Sequence, residues 1–424
     1  MNLALIYLIS KNLFKIFILS FVTACATSIP SVNIPDIQQT QSDITIDDFK
    51  AHITYLSSDG LAGRSSGTPG DRLAKDYIVS HFTNAGGSAE RFVEVQEHYV
   101  SKSRLKPKNK VKTYNIIATL PGNDKKLKNE YVVIGAHYDS VKNTLGLIHN
   151  GADDNGSGTS MILELFEKFA STNTHKRTLV FMAFGGEELG LLGSKHYVNN
   201  PTIDLSKVQL MVNLDMVGRM DEENNVQLGG SPSATNLSSK LHPFFVNSKI
   251  NIIDLGKGIF SRSDHYNFYK KDIPVLFFFT GIHPDYHTAT DDEDKINYDG
   301  MMKISQVVEP IISEFANSEE RLIFEKMEDE QQTMQQSPSK MKVTLGVMPD
   351  YAYDGKGLKI DSVIDNRPAK MAGILDGDIL IKIQDMDIVD IYKYMEALSN
   401  IEPGAQAQVT VLRAEEKVVL DVQF

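Results

Sequence analysis

Acidic and histidine residues stand in five clusters through the middle of the chain: His137-Tyr138-Asp139, Asp153-Asp154, Glu187-Glu188, Asp215 and Tyr286-His287. They fall at the ends of predicted strands, where open α/β folds place their sites. One such cluster means little, since adjacent acids are usually solvated and a lone histidine behind a strand is usually structural. Five together carry weight, because acids directly behind apolar strands would lie near a buried sheet edge without partners.

Gly135-Ala136-His137 ends one strand, and Asp139 has the spacing to orient the imidazole from behind. Gly151 to Gly158 (GADDNGSG) is a glycine-rich turn that delivers carboxylates just before a helix. In Phe184-Gly185-Gly186-Glu187-Glu188, neighbouring side chains point in different directions, so one carboxylate can ligate a metal while the other holds a proton. Asp215 and His287 can complete the set. Two histidines and three carboxylates, without sulfur, suit a pair of Zn²⁺ ions or a similar divalent metal.

The elements that must position these groups follow from periodicity. Helical patterning appears at Ile46–Leu56, Asp71–Ala85, Gly158–Ala170 and Tyr298–Phe315. Strands are expected at Phe92–Val95, Tyr114–Leu120, Tyr131–Ala136, Thr178–Phe184, Val208–Leu214 and Val275–Phe279. The last three are continuous apolar runs, which suit a sheet covered on both faces. Strands alternating with helices predict one α/β domain over residues 44–318. A polar, charged linker is expected over 319–342. A small β-rich domain follows over 343–424, with strands at Val343–Val347, Leu358–Val363, Ile379–Ile383, Ala407–Leu412 and Val418–Phe424 and a helix near Tyr392–Leu398.

The chain has 424 residues, 42% hydrophobic and 23% charged, an ordinary globular composition that excludes collagen-like, disordered and multi-span membrane classes. A formal charge of −12 argues against a nucleic-acid partner. The single cysteine, Cys25, excludes an intramolecular disulfide or a thiolate metal cluster. Its position is informative. Lys15, the apolar run Ile16–Val22 and the small residues Thr23-Ala24 read as an export signal over residues 1–24, too short after Lys15 to span a bilayer. Val22-Thr23-Ala24-Cys25 resembles the lipobox of bacterial lipoproteins, which implies a lipid on Cys25 and a membrane partner through that anchor. Residues 25–43 read as a tether. Ala26, where an aspartate would signal inner-membrane retention, leans toward the outer membrane of a two-membrane cell envelope.

The stretches GAHYDS, GADDNGSG, FGGEELGLLGS, NLDMVGR, SDHYNF and DYHTATDD, in this order through residues 44–318, resemble the co-catalytic zinc aminopeptidase family, relatives of glutamate carboxypeptidase and glutaminyl cyclase. The resemblance implies a mixed, mostly parallel sheet flanked by helices, and two zinc ions per chain. It implies that His137 and Asp215 bind one zinc, that Glu188 and His287 bind the other, and that Asp154 bridges them through a segment with a cis bond to Asn155. Glu187 would be the general base, Asp139 the partner of His137, and Tyr286 a donor to the oxyanion. Peptides would be the substrates.

Several residues are weighed as structural. His265 is expected to pack at a helix start, and His149 and His283 are expected to be loop residues. Gly63-Arg64-Ser65-Ser66-Gly67 fits the G-x-S-x-G elbow but follows no clear strand, so it reads as a chance match. No H-E-x-x-H is present, which excludes a zincin. A dipeptide carboxypeptidase would want arginines in its pocket, for which Arg64, Arg219 and Arg262 are candidates. A glutaminyl cyclase ranks lower, since its relatives line the site with tryptophan and this chain has none. A non-catalytic envelope scaffold is opposed by the intact ligand set.

Residues 343–424 resemble a PDZ domain of the bacterial, protease-associated kind, through Leu345-Gly346-Val347, Val363 to Ala369 and Ala372 to Leu380. Such domains add an extended peptide as an extra strand, which implies a peptide or protein ligand. Leu345-Gly346-Val347 is a shortened carboxylate loop, and a domain that only packs or dimerises is the competing reading.

Overall fold

A computed structural model describes residues 43–85, 89–101, 110–141, 143, 146–256, 262–327, 343–349, 356–363, 367–389, 391–414 and 416–424. The expected signal over 1–24, Cys25 and all of the tether except Asp43 lie outside the described residues. Among the described residues no helix is long and apolar enough to cross a membrane.

The first domain is built on an eight-stranded sheet. Its strands are β1 (Phe92–Ser101), β2 (Lys110–Leu120), β3 (Tyr131–His137), β4 (Thr178–Phe184), β5 (Val208–Leu214), β6 (Asn225–Gly229), β7 (Asn251–Gly256) and β8 (Val275–Phe279), in the order β1-β2-β4-β3-β5-β8-β6-β7. The central four, β4-β3-β5-β8, are mutually parallel, whereas β1, β2 and the β6–β8 pairing are antiparallel. Chain order reverses at β3, with β4 on one side and β5 on the other, and the carboxyl ends of all four parallel strands share one edge.

Helices cover both faces. They are α1 (Ile46–Leu56), α2 (Pro69–Asn84), α3 (Gly158–Thr172), α4 (Leu192–Asn199), α5 (Leu237–Val246), α6 (His265–Tyr269) and α7 (Tyr298–Asn317). Val133, Val180 and Met182 pack against Tyr197 and Val198 of α4 and Phe268 of α6. On the alternate positions, Phe181 meets Phe166 of α3 edge-on. This two-sided burial explains why the central strands carry no polar alternation. Start signals act as expected: Thr45 and Thr68 accept the Asp48 and Asp71 backbone N–H groups, and Pro69 occupies the first turn of α2.

Two departures from the sequence reading have physical causes. Strand β1 runs on to Ser101 and pairs with β2 from Phe92↔Thr119 to Ser101↔Lys110. Within the extension Glu97 and Tyr99 are exposed while His98 and Val100 are buried, and no continuous apolar run announces it. Residues 319–327, expected as linker, pack back onto the domain. The Thr235 N–H donates to the Ile323 carbonyl at 2.9 Å and the Glu325 N–H to the Ser233 carbonyl at 2.9 Å. Phe324 rests on Tyr269, and Met327 is buried in the same cluster. Leu322 is buried as well, and these three apolar anchors within a charged stretch outweigh its composition.

The second domain has β9 (Val347–Pro349), β10 (Leu358–Val363), β11 (Ile379–Ile383), β12 (Met386–Asp387), β13 (Gln406–Arg413) and β14 (Glu416–Gln423), with α8 (Pro368–Ala372) and α9 (Ile391–Ser399). All pairings are antiparallel, in the order β14-β13-β11-β10-β9 with β12 beside β11. The strand expected at Val343–Val347 instead begins at Val347. Leu345, Leu358, Ile360, Leu380, Val409 and Val422 form its core. Asp378 is buried and takes both prongs of Arg413 at 2.9 and 2.7 Å.

Candidate metal centre

The parallel register aligns the candidate ligands before any side chain is considered. Gly135 pairs with Asn213, which carries His137 and Asp215 to the same sheet edge, and His137 pairs with Phe184, just ahead of Glu187 and Glu188. His287 arrives from the loop after β8, and Asp154 from the turn between β3 and α3. Two glycines shape these arrivals. Gly151 has φ +58°, and a Cβ there would lie 2.2 Å from the Asp154 carbonyl oxygen. Gly186, at φ +91°, turns the chain immediately before the paired glutamates. His287 takes a left-handed φ of 56°, a conformation that costs a non-glycine residue about 1–2 kcal/mol and marks a constrained site.

The side chains converge in two groups that share one carboxylate. His137 Nε2 lies 3.3 Å from Asp154 Oδ1 and 3.3 Å from Asp215 Oδ1. His287 Nε2 lies 3.0 Å from Asp154 Oδ2 and 3.2 Å from Glu188 Oε2. Each oxygen of Asp154 thus faces a different group. Metal–ligand bonds of roughly 2.0–2.1 Å in a tetrahedron set neighbouring ligand atoms about 3.3–3.4 Å apart, close to these separations. A single imidazole nitrogen cannot donate to two carboxylates at once, but both contacts are natural around a cation. Glu188 Oε1 is buried without a hydrogen-bond partner, another opening for a ligand. The donor set of nitrogen and oxygen therefore fits divalent zinc.

Electrostatics point the same way. Burial alone would lower the His137 imidazole, but Asp215, Glu187, Asp139 and Asp154 outweigh it and hold it well above its usual range. His287 is likewise pushed up to about 10, its Asp154 and Glu188 contacts outweighing burial. Burial and the Asp154 charge push Glu188 up to about 7, and burial holds Glu187 well above the usual carboxylate range. The site compresses like charges that a divalent cation would relieve.

The surroundings refine the sequence reading. Asp139 sits beside His137, yet His137 Nδ1 donates to the Asp139 backbone carbonyl at 3.1 Å, with the carboxylate farther off at 3.7 Å. That carboxylate instead accepts the Glu187 N–H at 3.1 Å and the Ser66 hydroxyl at 2.9 Å. The reason is the Gly63–Gly67 segment, which presses in from below. Arg64 is fully buried and donates to the carbonyls of Tyr138, Asn150, Gly151 and Leu56. It therefore ties the two site loops together and cannot serve as a substrate-facing arginine. Arg219 pairs with Asp285 at 3.0 Å, and Arg262 is exposed. Tyr286 stacks on His287 with ring centroids 3.8 Å apart. Burial and the nearby Asp154, Glu188, Glu187 and Asp215 carboxylates keep its hydroxyl protonated. The bond between Asp154 and Asn155 is cis.

Positioning residues that sequence alone did not single out complete the frame. Asp291 is buried and accepts the backbone N–H groups of Asp153 and Asp154 at 3.0 Å each. Ser263 donates to Asp215 at 2.7 Å. His283, expected in a loop, is buried against Asp153 at 3.1 Å, and Asp153 also accepts the Gly218 N–H at 2.7 Å. His149 is buried, and neither histidine joins the ligating groups. His265 is buried and stacks on Phe277, as a packing role requires. Asp291 and Ser263 lie inside recognisable motifs, DYHTATDD and SDHYNF, which was their only signal.

Residues 115–312 match the peptidase family M28 model, and residues 330–424 match that of the PDZ domain. A protein named "Probable leucine aminopeptidase" from Trichophyton verrucosum (strain HKI 0517) is 32% identical over 224 residues, 49% of this chain and 57% of that one. Aminopeptidase YwaD of Bacillus subtilis (strain 168) is 33% identical over 212 residues, 46% of this chain and 44% of that one. The chain thus spans about half the length of the curated relatives it matches. Among solved structures, the aminopeptidase of Aneurinibacillus sp. strain AM-1 superposes with a TM-score of 0.54 at 19% identity, covering 67% of this chain and 97% of that one. The glutaminyl cyclase of Porphyromonas gingivalis gives 0.53 at 19% identity, covering 64% and 98%. These likenesses establish the fold.

Asp291→Ala removes the acceptor that fixes the Asp153–Asp154 turn. Zinc affinity of the full chain, read by competition with a chelator, should fall about 10–100-fold. An unchanged affinity would mean that the turn holds Asp154 without it.

Proposed function

We propose that this chain, which carries an M28 peptidase domain ahead of a PDZ domain, is a di-zinc metallo-aminopeptidase that releases N-terminal residues from peptides. The observation that carries this reading is the placement of the Asp154 carboxylate between His137 with Asp215 and His287 with Glu188. His137 and Asp215 would hold one zinc and Glu188 and His287 the other, with Asp154 offering one carboxylate oxygen to each. When bound, zinc polarises a carbonyl and acidifies water.

The chain's own groups complete the chemistry. Glu187, raised in pKa by burial and by neighbouring Glu188, takes a proton from the attacking water on its carboxylate and returns it to the leaving amine nitrogen. Asp139 anchors the backbone of Glu187 and so fixes where that carboxylate can reach. Tyr286 keeps its proton and donates from Oη to the developing oxyanion. Met216, Phe277 and Phe279 form a buried apolar cluster with Ile282 and Tyr286 packed against it, so the wall beside His287 is apolar. The PDZ domain captures extended peptide along its sheet. Cys25 carries the lipid that anchors the protein in the cell envelope, a reading supported by the apolar run Ile16–Val22 before Thr23-Ala24-Cys25.

Glu187→Gln should keep its metal and lose turnover of an amino-acid arylamide by about 10²–10⁴-fold, measured as kcat beside elemental analysis. Loss of metal, or near-native kcat, would remove Glu187 from the role. Deleting residues 341–424 should spare hydrolysis of the arylamide while changing action on longer peptides. Equal kinetics on both substrate types before and after deletion would sink peptide capture by the second domain.

A further inference from the structure

Three helices meet around a second set of ligating side chains that the proposed reaction leaves unused. His52 lies on α1, His81 on α2, and Glu164 and Glu167 on α3, all of them buried. Glu164 and Glu167, three residues apart, share one face of their helix. His52 Nε2 is 2.8 Å from Glu164 Oε1, and His52 Nδ1 is 2.7 Å from Tyr77 Oη. The two imidazoles meet edge-on with centroids 4.7 Å apart. His81 is only 2% exposed, and neither ring nitrogen makes a well-formed hydrogen bond, with the Leu163 backbone near the ring and Glu167 Oε2 3.7 Å from Nε2. Ligating atoms of His52, His81 and Glu164 all lie within 4.8 Å of one another.

We propose that His52, His81 and Glu164, with Glu167 beside them, form a structural site for one divalent transition metal, zinc by its ligand chemistry, that clamps α1, α2 and α3 together. Two imidazoles with carboxylates suit zinc, whereas calcium and magnesium take oxygen ligands alone. Tyr77 at Nδ1 fixes the ring that presents Nε2, the outer contact a metal-bound histidine needs. The ionisation states agree: burial pushes His52 down to about 4 and holds His81 well below its usual value, leaving both imidazoles neutral and able to ligate. Burial pushes Glu164 up to about 8, so a bound cation displaces its proton. This site stands apart from the one assigned to Glu187 and its neighbours and does not depend on that assignment.

The test is zinc stoichiometry of the full chain, stripped with chelator, reloaded with Zn²⁺ alone and dialysed. In His137→Ala/Asp154→Ala/His287→Ala, which lacks the sheet-edge ligands, one zinc per chain should remain and should raise the thermal midpoint over the stripped form. Adding His81→Gln should abolish both. In the otherwise native chain, His81→Gln alone should lower the zinc count by one while arylamide hydrolysis continues. No zinc retained in the triple variant while its circular dichroism stays native would overturn the site. An unchanged zinc count in His81→Gln would also overturn it.

Discussion

Asp154 is the side chain on which the larger domain depends. Its two oxygens lie in opposite directions, each against a histidine that also meets a second acid. Around it, Glu187, Glu188 and Asp215 bring further negative charge into a partly dry site. Unit charges about 4 Å apart interact by roughly 4 kcal/mol at an effective dielectric near 20. Two protonated imidazoles relieve part of that repulsion, which is why His137 and His287 hold their protons so far above the usual range. Two divalent cations would relieve more, and would free both imidazoles to act as ligands.

Holding such a group rigid falls to neutral and backbone contacts rather than to further ion pairs. Arg64 spends its guanidinium on carbonyls from α1, the His137 strand end and the Asn150–Gly151 turn, joining three segments with one side chain. Asp291 meets the Asp154 turn from the opposite side through two N–H groups. Ser263 steadies Asp215, and Asp139 steadies Glu187 by its backbone. The parallel sheet beneath supplies the fixed edge, because register alone brings His137 and Asp215 level. Side-chain geometry of this kind is held best by strand ends backed by buried hydrogen bonds.

Much of this is legible in the residues themselves. Continuous apolar strands announce the buried parallel centre, and His137, Glu187-Glu188 and Asp215 stand at or just behind their carboxyl ends, whereas Asp154 and His287 arrive on longer loops. His137, Asp215 and the paired glutamates come together because β-strand register converts sequence spacing into a common edge. Other features leave weaker marks. Arg64 sits in a G-x-S-x-G run that suggests a different chemistry, and only the fold shows its guanidinium turned toward backbone carbonyls. Asp139 has the right spacing to reach His137 with its carboxylate, but Ser66 and the Glu187 N–H compete for that carboxylate more effectively. His283 and Asp153 meet from positions 130 residues apart, and no local pattern encodes such a pairing. Residues 319–327 look like linker by charge, and their few apolar anchors matter only once α6 and the Ser233 loop offer a surface.

The central claim is that Asp154 divides two cations between its oxygens. Anomalous diffraction at the zinc edge, from crystals of the zinc-loaded protein, tests it most directly. Two peaks about 3.5–4 Å apart, one beside His137 and Asp215 and one beside Glu188 and His287, are the predicted result. A single peak at this edge, or none within reach of Asp154, would contradict the account.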